Sequence, residues 1–246
     1  MKEEVKMKAL WNQIKFQKDL FLMGGAVMLG MFVFGTILHD FLVTGDDEVT
    51  SVFCMGTFMA TIVMFMMMFF FAGVHMVQIF NYAVAMGQTR KRTFPMYTIA
   101  VFGTFFSLSI LLKVMNELEK WRLKLMFPGI KIEQFVDVIL KFKYLFALAL
   151  VGTAFSVLLG AGISRFGKAA FWVWWVLLMT TCIGGPRLIH YMTGKHPDSG
   201  LIVFVEQTME NIVAHAQVIS VVAVILSTVI FIGAGYLIVR RQQVNV

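Results

Sequence analysis

Six stretches of this chain, between 15 and 31 residues long, are almost free of charge: Leu20–Thr44, Thr50–Phe80, Pro95–Leu112, Tyr144–Ile163, Ala169–Ile183 and Val218–Val239. About 20 apolar residues at 1.5 Å rise cross the ~30 Å hydrocarbon of a bilayer. Inside it, only helices and closed barrels can satisfy their own backbone hydrogen bonds. The runs are continuous rather than alternating, which excludes barrel strands. Composition agrees: 59% of the residues are hydrophobic and 14% charged, against about 25% charged in soluble domains. The expected fold class is therefore an all-α integral membrane protein of six transmembrane helices, one domain over residues 1–246. The second run is longer than a bilayer requires and is expected to project into the cytoplasm. The fifth is short and ends at Gly184-Gly185-Pro186, a helix breaker. The first is too long for a signal peptide, and no small-residue cleavage site follows it.

Lysine and arginine set the orientation. With the N-terminus inside, the cytoplasmic segments hold twelve bases: Lys2, Lys6, Lys8, Lys15 and Lys18, then Arg90, Lys91 and Arg92, then Arg165 and Lys168, and finally Arg240 and Arg241. The outer segments hold nine, seven of them between Lys113 and Lys143. Bases rather than net charge determine topology, and they favour both termini in the cytoplasm. The formal net charge of +7 is thus a matter of membrane orientation, not of a nucleic-acid surface. The 113–143 stretch agrees least with this arrangement.

Three segments have the pattern of helices lying along the membrane. In the N-terminal tail, residues 1–19, Met7, Leu10, Trp11 and Ile14 form one apolar face among lysines, suited to the headgroup level. Leu201, Phe204, Val205, Met209 and Ile212 share a face opposite Glu206, Gln207, Glu210 and Asn211, a broken or re-entrant segment before the last span. Ser199 or Asp198 can cap its start. Ile132, Phe135, Val136 and Ile139 repeat the pattern after Pro128-Gly129. Each suits either a lateral anchor or a gate.

Chemistry is sparse. Gly162 to Lys168 nearly spells a phosphate loop, but Ala169 stands where a hydroxyl should hold magnesium, and no strand precedes it. The histidines His39, His75, His190, His196 and His215 lack tight metal-ligand spacing. Cys54 and Cys182 form no disulfide framework and read as small buried hydrophobes. His75, Gln78 and Asn81 fall at i, i+3 and i+6 on the inner half of the second span. They read as interhelical hydrogen-bonding groups or as part of a substrate pathway. Gly152, Ser156 and Gly160, like Gly56 and Ala60, stand four apart and let backbones approach closely. The Met64–Phe71 run reads as lipid-facing filler or as an adaptable apolar wall. No nucleophile elbow or paired intramembrane carboxylate exists, and Asp40 is the sole acid expected at the edge of an apolar core. The chain reads as no enzyme, with no metal or cofactor of its own, and an external energy source is implied.

The turn Met86-Gly87-Gln88-Thr89-Arg90-Lys91-Arg92-Thr93-Phe94 resembles the G-x-[ST]-R-[KR]-x-x-[FY] loop of type-2 ABC exporter permeases. The second inner turn, Ser164-Arg165-Phe166-Gly167-Lys168 followed by Phe171-Trp172, is similar to the Arg-Phe-Gly-Lys loop of Firmicutes members of that family. The resemblance implies a multi-pass subunit of a bacterial plasma membrane that works beside a second permease copy, as homodimer or heterodimer. Its short cytoplasmic turns would dock on a separate ATPase, which binds the ATP and Mg. Carried over, Gln88, Thr89, Arg90, Lys91 and Arg92 would make the main contact, and Arg165, Gly167 and Lys168 would assist. The cargo expected is hydrophobic or amphipathic: an antimicrobial or cytolytic peptide, a drug or a lipid. The alternative is a membrane immunity or sensor protein that binds peptides without transporting them.

Overall fold

The structure is a computed structural model that describes residues 2–43, 51–85, 89–133, 140–180 and 216–240; for 2–17, 84–85, 133, 143 and 216–221 it describes the backbone alone. Helix α1 spans Lys2–Val43, so the tail and first span form one continuous helix rather than two elements. Strand β1 (Ser51–Phe53) precedes α2 (Met55–Met66), which passes through a π-helical segment, Met67–Phe71, into α3 (Ala72–Ala85). Then follow α4 (Arg90–Met126), strand β2 (Lys131–Glu133), α5 (Phe142–Phe166), α6 (Lys168–Met179) and α7 (Ala216–Arg240).

Five of these helices are long and apolar enough to cross a membrane: Lys18–Val43, Met55–Ala83, Arg90–Met126, Tyr144–Phe166 and Val222–Arg240. The fifth expected span, Ala169–Ile183, is represented by the 12 residues of α6, and residues 181–183 lie outside the described residues. The amphipathic segment Leu201–Ile212 lies outside them too. Two expectations need correction. The second run does not begin as helix, because residues 51–53 are extended and pair in parallel with β2, Val52 opposite Ile132. Ile132 is accordingly in a strand and not on an amphipathic helix; residues 134–139 lie outside the described residues.

The largest departure is α4. The third apolar run ends at Leu112, but the helix continues to Met126, about 55 Å in all at 1.5 Å per residue. Its extension keeps the helical period, with Leu112, Met115, Glu119 and Leu123 buried and Val114, Leu118, Trp121 and Leu125 exposed.

Close backbone contact holds the bundle together. A Cβ on Gly35 would stand 2.8 Å from the Met55 carbonyl oxygen and 2.9 Å from Gly56 Cα, so α1 and α2 touch backbone to backbone. On α5, Gly152 makes room for Met68, and Gly160 for Met76 and the Gly73 carbonyl. Such small-residue contacts are how helices pack where lipid removes the hydrophobic drive. Between them lies a core that includes Met28, Met64, Met68, Tyr97, Phe105, Leu108, Leu145 and Val157. The Met–Phe run is therefore not simply lipid-facing: Met64, Met67, Met68 and Phe70 are core, while Met66 and Phe71 are exposed. A π segment disturbs the regular helical bonding, and two side chains donate to carbonyls there. Ser156 Oγ donates to the Met68 carbonyl (2.6 Å) and Tyr97 Oη to that of Ala72 (2.8 Å).

These contacts alternate the helix directions. Phe94, at the start of α4, packs on Phe80 and on Tyr236 near the end of α7. One end of the bundle thus carries the starts of α4 and α6 with the ends of α3, α5 and α7. The other carries Asp40, the β1–β2 pair and the C-terminal turns of α4.

Candidate functional site

The first end is basic. Thr89 is extended (φ −78°, ψ 139°) and stands at the N-cap of α4 without a capping side-chain bond. The Arg92 and Thr93 amides bond back to its carbonyl at 2.9 and 3.0 Å, and the Thr93 hydroxyl reaches the same oxygen at 3.2 Å. Lys91 is exposed, Arg90 and Arg92 are half-buried, and Gln88 lies outside the described residues. The second turn is made by Gly167, whose φ of +63° and ψ of −146° suit only a residue without Cβ. Its amide closes α5 onto Ile163, and its carbonyl receives the Ala170 amide at 3.2 Å to open α6. Arg165, Gly167 and Lys168 are exposed, and the Arg165 guanidinium lies 5.2 Å from the Phe166 ring centre.

The placement of these cations is unusual. Arg90, Lys91 and Arg92 occupy the first turn of α4, and Lys168 the first of α6, with no acid in either turn. Helix N-termini favour anions, each charge there counting for about 0.3–1 kcal/mol. The bases therefore stand where they oppose the dipoles of their own helices.

His75, Gln78 and Asn81, read either as interhelical hydrogen-bonding groups or as part of a pathway, lie along α3. Gln78 and Asn81 are exposed and His75 is half-buried. The His75 Nδ1 is buried with no hydrogen-bond partner. Gln78 and Asn81 thus face outward from α3, whereas the His75 ring is turned partly into the bundle.

At the opposite end lies a group that the sequence reading missed. Glu119, 1% exposed, accepts the Gly56 amide at 2.8 Å and both the amide and the hydroxyl of Thr57 at 2.7 Å. It caps α2 from another helix, since Cys54 at the N-cap makes no such bond. Beside it, Arg122 Nη1 donates to both carboxylate oxygens of Asp40, at 2.9 and 2.7 Å. His39 Nδ1 lies 3.4 Å from Asp40. The expectation of no acid inside the spans but Asp40 rested on ending the third at Leu112, and Glu119 overturns it. The signal was present: Glu119 is four residues from both Met115 and Leu123, on the apolar face, apart from Lys113, Glu117, Lys120 and Lys124.

Among the described residues no three His, Cys, Asp or Glu side chains stand close enough to hold a metal; His190, His196 and His215 lie outside them. The phosphate-loop-like stretch is the end of α5 and a helix–helix turn, not a strand-to-helix loop. Cys54 is buried in a small cluster with Val52 and Leu123. Comparison with family models finds no match, and comparisons with curated proteins and with solved structures find none either.

Proposed function

We propose that the chain is the membrane permease subunit of an ATP-binding-cassette exporter. In this reading α6 continues as the fifth of six spans, and the basic end faces the cytoplasm of a bacterium. A partner ATPase docks there and supplies the ATP hydrolysis. The observation that carries the reading is the pair of basic turns at one end, each placing cations at a helix N-terminus against the local field. An acidic docking surface offsets that cost, and Arg presents a fixed fork of donors to it. The cargo class, amphipathic peptide, drug or lipid, follows from walls of Phe, Met, Leu and Val with few polar groups, because Met-rich surfaces re-pack around varied shapes. The patch His75, Gln78 and Asn81 is assigned to the pathway, where a second permease copy or cargo covers it.

The test is the triple replacement of Arg90, Lys91 and Arg92 by Ala in cells that express the proposed partner ATPase. The variant should insert at normal levels and lose most ATPase co-purification or cargo-stimulated turnover. Normal co-purification and transport would reduce these residues to topology signals. A wild-type chain that binds amphipathic peptide tightly, with no ATPase retained, would favour the immunity or sensor alternative.

A further inference from the structure

A cavity of about 390 Å³ lies between α5, α6 and α7, lined by Leu158, Gly162, Phe166, Ala170, Trp174 and Ile238 among others. Every lining residue is apolar or aromatic, and the cavity is partly open. It is more than twice the ~150 Å³ of an apolar cavity that stays dry and takes up benzene, and it falls in the ~300–1,000 Å³ range of ligand sites. A Cβ on Gly162 would lie 3.6 Å from Ala170 Cβ, so α5 and α6 diverge from a close contact beside the turn.

Two further observations specify an occupant. Trp174 has its indole Nε1 buried with no hydrogen-bond partner among the described residues, a donor that the apolar lining leaves unsatisfied. Basic residues adjoin the lining in sequence at the turn end: Arg165 and Lys168 flank the lining residues Phe166 and Ala169, Arg240 follows Ile238 by two positions, and all three are exposed. The sequences of α5, α6 and α7 contain no acidic residue. Basic pockets between membrane helices take anionic lipid head groups. Trp174 is six residues into the helix from Lys168, about 9 Å along the axis, which suits the ester carbonyl below a head group held at the turn.

We infer that this cavity is a site for an anionic glycerophospholipid, with an acyl chain between α5, α6 and α7 and its phosphate at Arg165, Lys168 and Arg240. The ester carbonyl accepts from Trp174 Nε1. The inference does not depend on the transport reading, since lipid binding needs neither ATP nor a partner.

The purified full chain is reconstituted in phosphatidylcholine vesicles containing a small fraction of phosphatidylglycerol with a diazirine-bearing acyl chain. It is then photolysed, and the adducts are mapped. Adducts should concentrate on the cavity residues of α5, α6 and α7, fall at least fivefold on adding unlabelled phosphatidylglycerol, and persist with added phosphatidylcholine or inorganic phosphate. Ala170→Leu, which fills the cavity, should remove them. Arg165→Gln with Lys168→Gln leaves the cavity intact and should abolish the preference for phosphatidylglycerol; it keeps the test available if Ala170→Leu fails to fold. Labelling spread over the exposed face of α4 as strongly as over the cavity would overturn the inference. So would labelling indifferent to head group.

Discussion

Glu119 and Gly56, 63 residues apart, are joined by a 2.8 Å hydrogen bond from the Gly56 amide to a buried carboxylate oxygen. The bond requires close contact on both sides. A Cβ on Gly56 would stand 2.5 Å from Thr36 Oγ1, 2.6 Å from the Phe32 carbonyl oxygen and 3.0 Å from Glu119 Oε1. One glycine therefore lets α1 approach α2 and exposes an amide to α4. Glu119→Ala leaves the first amides of α2 without this acceptor, and hydrogen bonds to a charged group contribute about 1.5–3 kcal/mol. It should lower thermal stability in detergent by several degrees. Glu119→Gln, which retains one carbonyl acceptor, should fall between. Identical melting of Glu119→Ala and wild type would mean that water replaces the cap without loss.

Three glycines separate the reasons for lacking a side chain. Gly160→Ala should destabilise by about 1–3 kcal/mol through overpacking, since its Cβ would meet Met76 Sδ at 2.5 Å and the Gly73 carbonyl oxygen at 2.9 Å. Gly167→Ala meets nothing within 4 Å yet should lose about 1–3 kcal/mol to its backbone conformation. Gly103→Ala, in open space mid-helix, should be neutral or gain up to ~1 kcal/mol of helix propensity. Denaturant titration in mixed micelles reads all three, and a different order would refute the assigned contacts.

The two donors to the π segment predict a smaller, paired effect. Ser156→Ala removes the interhelical bond to Met68 along with a contact to the Gly152 carbonyl of its own helix, and Tyr97→Phe removes the bond to Ala72. Interhelical bonds of this kind in membrane proteins average about 0.6 kcal/mol. Each variant should be destabilised by roughly that amount, and the double variant by about the sum if the sites are independent. A loss above ~2 kcal/mol in either would show that the π segment itself depends on the donor.

Orientation is tested at the exposed residues Lys91 and Lys124, near opposite ends of α4. With Cys54 and Cys182 replaced, Lys124→Cys should react with an impermeant thiol reagent in intact cells, and Lys91→Cys only after lysis. The reverse pattern would place the basic turns outside and remove the docking proposal.

The apolar runs by themselves determined that the chain is helical and rich in membrane-length segments; they gave six, of which five appear among the described residues as helices long enough to span a membrane. A backbone in hydrocarbon must bond to itself, and run length measures that requirement directly. The four-residue spacing of Gly152, Ser156 and Gly160 likewise marked a face before its partner was known, because small residues on one side of a helix are useful only for close approach. Sequence also brought out the turns around Arg90 and Arg165, though not the fact that their cations oppose two helix termini at one end.

Only the tertiary structure decided the opposite end. Charges from Lys113 onward read as a loop because charge counts against a span, yet the period continues and Glu119 falls on the buried side. What makes its burial tolerable is the set of donors on Gly56 and Thr57, more than 60 residues away, which no local window contains. The pairing of Val52 with Ile132 is hidden for the same reason: strands this short have little propensity of their own and exist through their partner. Local physics wrote the helices into the sequence, while the polar contacts that fasten them depend on groups brought together only when the bundle closes.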